Sequence, residues 1–202
     1  MTNPTGKPRA LDLCCGLGGA SRGLKAAGFY VVGVDIDDQP EYCGDEFHKA
    51  DALSFPLDGF DFIWASPPCQ EFSVWGMRHF FPHPKFPHNG LRIFNGVRSR
   101  LYDSGIPHVI ENVAATRIFV GESINHLGPF HLWGNAVPAL FPTEFYGICK
   151  GFRMPRPENG KRELCGNRQF GSKDKKRRAE WSAKVAMLPT EICEYIGRHA
   201  LL

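Results

Sequence analysis

The chain has 202 residues, of which 43% are hydrophobic and 22% charged, and a formal net charge of +3. That length fits one domain able to bury roughly 70% of its unfolded surface, so neither a metal nor a disulfide is needed to hold it together. The charge is too small to demand a nucleic-acid partner by itself, and no apolar run approaches the roughly 20 residues of a membrane span. Cysteines at 14, 15, 43, 69, 149, 165 and 193 form no Cys-x-x-Cys pair, and no apolar N-terminal segment resembles a signal peptide. These features predict a reduced, soluble, intracellular protein without a structural metal.

In chain order, Ala10-Leu11-Asp12-Leu13 reads as a first strand, Gly16 to Gly19 as a tight turn, and Ala20 to Ala27 as a helix ended by Gly28. Tyr30-Val31-Val32-Gly33-Val34 comes next as a second strand with Asp35 at its tip. The βαβ pattern predicts an α/β fold with a doubly wound parallel sheet. Further strands are expected at 60 to 65, 107 to 110 and 129 to 133. Leu91 to Asp103 reads as a helix, with Leu91, Phe94, Val97, Arg98 and Leu101 on one face. The prolines of Arg78 to His88 forbid regular structure, and a long loop of aromatic and basic residues there suits a lid over a base or phosphate. Gly147 to Ser172 is expected to be irregular, and Ala179 to Leu202 helical around Pro189. Lys161 to Arg178 holds eight basic residues against Glu163 and Asp174, which would attract polyphosphate or serve as a solvated face.

Two stretches carry chemistry. The first turn lacks the third glycine of a dinucleotide fingerprint, because Ser21 stands there, so NAD binding is disfavoured. Gly16 and Gly18 still allow a ligand to approach the backbone, and Asp35 can accept from two ribose hydroxyls, which points to a nucleoside-containing cofactor. The second stretch is Ser66-Pro67-Pro68-Cys69-Gln70 at the end of the apolar run 60 to 65, matched by Glu111-Asn112-Val113 after Val109-Ile110. Buried cysteines are usually inert, and an acid at a helix start is usually electrostatic trim. At neighbouring strand ends the two make a nucleophile and a proton donor: a desolvated carboxyl has a raised pKa and could activate a ring nitrogen for thiol addition.

Together these residues resemble the cytosine-C5 DNA methyltransferases, a family that uses S-adenosylmethionine on a Rossmann-like sheet. Asp12 to Gly19 is similar to that family's cofactor turn, with Cys14 where a phenylalanine is usual. Val34-Asp35-Ile36-Asp37 resembles the ribose-binding tip, and Ala50-Asp51-Ala52-Leu53 the segment that meets the adenine. Pro67-Pro68-Cys69-Gln70 with Phe72-Ser73 resembles the nucleophile motif, and Glu111-Asn112-Val113 the acid motif. The resemblance covers about 10 to 115. It implies a single compact S-adenosylmethionine-dependent methyltransferase domain over 1–202, with Cys69, Glu111, Gln70 and Asn112 catalytic. It further implies cofactor contacts from Asp12, Cys14, Gly16, Gly18, Gly19, Asp35, Ile36, Asp51, Ala52 and Pro68. The reaction implied is methyl transfer to C5 of a flipped cytosine through a cysteine adduct at C6.

Beyond 115 the likeness weakens. The family's arginine pair before a Leu-Phe sequence is replaced by Pro129-Phe130-His131-Leu132-Trp133, leaving His131 as a stand-in for one arginine. The interval 134–178 is too short for the family's large target-recognition region and reads as a reduced, irregular DNA-contact insert. Substrate contacts are expected from Ser73, Arg78, His79, Lys85 and His131 near the site, and from Arg162, Arg168, Lys175, Lys176, Arg177 and Arg178 as backbone contacts. The expected partner is double-stranded DNA met by a monomer, with specificity short or borrowed from a second protein, in a cellular or phage setting. RNA cytosine methylation and a catalytically weak nucleic-acid-binding homologue are the alternatives.

Overall fold

The computed structural model describes residues 6–79, 81–150 and 189–202, the side chains of 147–150 excepted. Among these residues seven strands build one sheet: β1 (Arg9–Leu13), β2 (Tyr30–Asp35), β3 (Glu46–Lys49), β4 (Phe62–Ala65), β5 (His108–Val113), β6 (Asn125–Leu127) and β7 (Phe130–Trp133). The order is β3-β2-β1-β4-β5-β7-β6. The first five positions are parallel, while β7 runs antiparallel to β5 and β6 antiparallel to β7. The chain builds outward from β1 through β2 to β3, then returns to lay β4 against the other side of β1. That reversal opens a crevice at the carboxyl ends of β1 and β4, the place where doubly wound sheets receive ligands.

The central strands are apolar almost throughout because both faces are covered. On one face Ala10, Val31, Phe62, Trp64, Val109 and Leu132 meet Leu24 of α1 (Gly19–Ala27) and Ile192 and Ile196 of the last described helix. On the other, Leu11, Leu13, Val32, Ile63, Ala65 and Ile110 pack against Phe94, Val97 and Leu101. Residue parity along each strand therefore decides which layer a side chain enters. Asp12 and Glu111 share parity with Ala10 and Val109 and belong to the α1 side.

Further helices are α2 (Gln70–Gly76), α3 (His88–Ser104), α4 (Arg117–Val120), preceded by a 3-10 turn at Ala114–Thr116, α5 (Thr143–Lys150) and α6 (Thr190–Ala200). The helix expected at 91–103 begins three residues earlier, directly after Pro87, and ends at Gly105 in the left-handed conformation. Phe94, Val97 and Leu101 form its buried stripe, as their spacing requires. The strand expected at 129–133 is the second arm of a hairpin turned at Gly128-Pro129. Of the interval 134–178, expected to be irregular, 151–178 lies outside the described residues, while α5 runs through 143–150. Its apolar positions supply the reason: Phe145 packs on Phe141 and on Tyr195 of α6.

α6 lies across α1. A Cβ at Gly23 would stand 2.5 Å from both the Cys193 Cβ and the Thr190 carbonyl, so the helices touch backbone to backbone there. At the opposite edge the Tyr42 ring occupies the space that side chains at Gly33 and Gly44 would fill, and its hydroxyl pairs with Ser21 Oγ at 2.8 Å.

Candidate active site

Two parallel strand tips define the centre. β4 stops at Ala65, Ser66 N donates to the Leu13 carbonyl at 3.0 Å, and the two prolines lead out to Cys69, which caps the start of α2. The register pairs Ala65 with Ile110, so the next residue of each strand, Ser66 and Glu111, are neighbours. Burial pushes the Glu111 carboxyl up to about 8, and a hydrogen bond from Ser66 moderates the rise. At neutral pH this carboxyl holds its proton. Cys69 is half-buried and its thiol is also pushed up, first by burial and then by the nearby Glu111, with the bonded Ser73 hydroxyl pulling the other way. The pair is thus a neutral acid beside a neutral thiol.

Asn112 has a different placement from its neighbour. Only 1% exposed, it donates through Nδ2 to the Pro67 carbonyl at 2.9 Å, while Oδ1 accepts from Thr116 Oγ1 at 2.7 Å and Val113 N at 2.9 Å. It braces the cysteine loop against β5. Gln70 is exposed on the first turn of α2 and, with Glu71, Val74 and residues 81–86, lines a cleft of about 560 Å³. Lys85 stands in that wall. Arg78 lies 4.6 Å over the Trp75 ring, which meets Phe86 and Phe119 edge-on, and His79 is exposed beside it. The expected loop is present between Met77 and His88, with Phe80 outside the described residues.

The glycine turn sits at the other side of the crevice. Asp12 is 1% exposed; its Oδ2 accepts from Ser21 Oγ at 2.5 Å and Ser21 N at 3.1 Å, while Oδ1 is buried without a protein partner. Burial raises this carboxyl to about 7. Gly16, at φ +49, faces open space, and Gly18, at φ +84, leads into Gly19 and α1. Cys14 holds a left-handed φ of 58, and its thiol is pushed up to about 12 by burial and by Asp35, Asp12 and Asp51, which places it among those acids. Asp35 accepts from Gly16 N at 2.9 Å and Asp37 N at 3.0 Å, tying the β2 tip to the turn. Ile36 beside it is 64% exposed. Asp51 caps a turn through Leu53 N at 2.9 Å, Ala52 is buried, and Pro68 is exposed at the crevice. An orphaned buried carboxylate oxygen, an open glycine turn and an exposed apolar residue by the acidic tip fit a nucleoside cofactor with a cationic tail.

His131 is paired with Asn112 across β5 and β7, 4% exposed, bonded at Nδ1 to Ser123 Oγ at 2.9 Å and stacked on His126. Burial, Arg117 and His126 lower it to about 4. It is neutral at physiological pH, so it lacks the charge that an arginine would carry there. Arg162, Arg168, Lys175, Lys176, Arg177 and Arg178 lie outside the described residues. Periodicity missed Ser66, Ser21, Tyr42 and Arg100, whose guanidinium donates to the Ala52 and Phe55 carbonyls and fixes the turn of Asp51. Only Ser66, inside the nucleophile motif, carried a local signal.

The crevice at the order reversal of this Rossmann-like sheet thus brings the open glycine turn, the Cys69 loop and Glu111 to one edge. Residues 9–87 match the model of the C-5 cytosine-specific DNA methylase family. Among similar proteins, the Type II methyltransferase M.AplI of Arthrospira platensis is 36% identical over 95 residues, spanning 42% of this chain and 26% of that protein. A crystal structure of a candidate DNA modification methyltransferase encoded within an E. coli prophage matches with a TM-score of 0.39 at 18% identity, over 57% of this chain and 38% of the other. The match thus spans about a quarter of the length of the curated relative.

Proposed function

We propose that the protein transfers a methyl group from S-adenosylmethionine to C5 of a cytosine flipped out of double-stranded DNA, acting inside the cell. The observation that carries this reading is the pairing of Cys69 with a protonated Glu111 at adjacent strand tips. Cys69 gives up its proton to solvent water as its sulfur bonds to C6 of the ring, while Glu111 passes its proton to N3; the electron pair displaced from the C5–C6 bond makes C5 nucleophilic. Because the thiol is raised, few thiolates exist before attack, so proton loss accompanies bond formation. S-adenosylmethionine, held by Asp12, Asp35, Ile36 and the turn at Gly16 and Gly18, supplies the methyl group as an electrophilic carbon on a sulfonium. Afterwards the C5 proton leaves to a base, the sulfur departs from C6, and Glu111 recovers the N3 proton.

Flipping costs roughly a few kcal/mol of unstacking. The cleft beside Gln70, with the rings of Phe81 and Phe86 and the cation of Lys85, suits the contacts that offset that cost. Phosphate contacts fall to Arg78, His79, Lys85 and the basic run ending at Arg178, and the site preference is short, weak or borrowed from a second protein.

The test is covalent trapping on duplex DNA carrying 5-fluorocytosine in the presence of S-adenosylmethionine, where fluorine at C5 blocks release. The parent protein should form an adduct that survives denaturation, and Cys69→Ser and Glu111→Gln should not. Absence of an adduct with duplex DNA, or an adduct only with RNA, overturns the reading.

A further inference from the structure

We propose that Ser66 is a positioning residue through which the indole of Trp64 fixes the oxygen on which Glu111 carries its acidic proton. This rests on the reading of Glu111 as the proton donor. Trp64 is fully buried in β4 and its Nε1 donates to Ser66 Oγ at 3.0 Å. An indole nitrogen can only donate, so the serine oxygen is the acceptor and its single hydrogen must point elsewhere. The β4 and β5 register puts the Glu111 carboxyl beside it, and that hydrogen is assigned to this carboxyl, in keeping with the way Ser66 holds back its rise.

The direction of this short chain has a chemical consequence. An oxygen that accepts from Ser66 is the carbonyl oxygen of the neutral acid, which leaves the proton on the other oxygen. Without the serine that preference is lost, and a share of the acid groups would present an acceptor where the substrate ring nitrogen needs a donor. The serine also stabilises the ionised form that remains after the proton has moved, so it assists the step it orients.

Among the described residues, the other groups around Glu111 that titrate are the Cys69 thiol from the start of α2 and the Cys193 thiol from α6, while β7 presents Leu132. Both thiols are pushed upward, Cys193 by burial and by Asp12, Glu111 and Glu191. Neither becomes charged in the range where Glu111 titrates, so an ionisation there reports the acid and its serine.

The experiment compares Ser66→Ala, Ser66→Thr and Trp64→Phe with the parent. The readouts are carbon-13 carboxyl shifts tracked against pH and the pH dependence of single-turnover methyl transfer. The marker is the ionisation near pH 8 that disappears in Glu111→Gln. In Ser66→Ala it should move to higher pH, with kcat lower by roughly tenfold or more and an unchanged cofactor KM. Ser66→Thr should restore both, and Trp64→Phe should shift the ionisation the same way by a smaller amount. An unmoved ionisation in a folded Ser66→Ala overturns the proposal, as does an alanine variant that the threonine variant fails to improve. Should the alanine variant not fold, an unmoved ionisation and unchanged kcat in Trp64→Phe overturn it equally. A parent protein that forms no 5-fluorocytosine adduct defeats the proposed function instead, which separates the two failures.

Discussion

Asn112 Nδ2 donates to the carbonyl of Pro67 at 2.9 Å, joining the tip of β5 to the loop that carries the cysteine two residues on. The amide has no freedom to flip, because its oxygen is already claimed by Thr116 and Val113. Asn112 thus braces the loop that carries the thiol against the strand that carries the acid.

Asn112→Ala strands the Thr116 hydroxyl and the Pro67 carbonyl in a buried position, at a cost of about 2–3 kcal/mol. A urea midpoint shift of that size should accompany a fall in adduct formation larger than the fall in cofactor affinity. Equal losses would mean that the brace serves the whole sheet rather than the cysteine loop.

The two buried carboxyls set the pH dependence of the ligand-free protein. Asp12 and Glu111 hold their protons in the folded state up to about 7 and 8, whereas the unfolded chain releases them near 4 to 4.5. Their stabilisation is full below about 4 and is lost as pH rises toward 7 and 8. Asp12 alone should lower stability by on the order of 2–3 kcal/mol between pH 5 and 7. Asp12→Asn should flatten this part of the Tm-against-pH curve. A variant curve parallel to that of the parent would place the Asp12 carboxyl in contact with solvent.

How much of this was legible in the sequence depended on how local each feature is. β1, its glycine turn and α1 announce themselves within twenty residues, since Gly16, Gly18 and Gly28 all stand at backbone angles that favour glycine. The tips of β4 and β5 were readable because buried parallel strands are plain apolar runs ended by polar residues. β3 and β6, of four and three residues at the sheet edges, bury too little to leave a pattern. α2 was hidden by Pro67-Pro68, which signal that the strand has ended but carry no sign of the helix that starts at Gln70. Arg100 and Tyr42 work through contacts set by tertiary packing, where spacing rules say nothing. His131 was legible as a candidate, yet its neutrality comes from burial and from the nearby Arg117 and His126, which tertiary packing sets.

Asp35 and Asp51 should separate cofactor binding from DNA binding. Asp35→Ala removes the acceptor at the β2 tip and also frees Gly16 N, so it should weaken S-adenosylmethionine more than Asp51→Ala, whose carboxylate closes a local turn. Calorimetry should record a loss for both, with DNA affinity little changed. Unchanged cofactor affinity in the Asp35 variant would remove this tip from the cofactor site.

The basic run makes an electrostatic prediction. Each phosphate neutralised contributes about −0.9 to the slope of log K against log salt on duplex DNA. Replacing Lys175, Lys176, Arg177 and Arg178 by glutamine should make that slope shallower by about one to three. A slope identical to that of the parent would assign the run to solvated surface.

Gly23→Ala offers a test whose sign separates two states of the C-terminal helix. In a solvent-facing helix the change is stabilising by about 1 kcal/mol, because alanine is the better helix former. In this fold the new Cβ would lie 2.5 Å from the Cys193 Cβ and the Thr190 carbonyl, so α6 would have to lift from α1. Overpacking of this kind typically costs about 1–3 kcal/mol, and here the obstacle includes backbone, which yields less than a side chain. A lowered urea midpoint is therefore expected, together with faster amide exchange in 190–200. A raised midpoint would mean that α6 does not rest on α1, and the burial that lifts the Cys193 thiol would go with it.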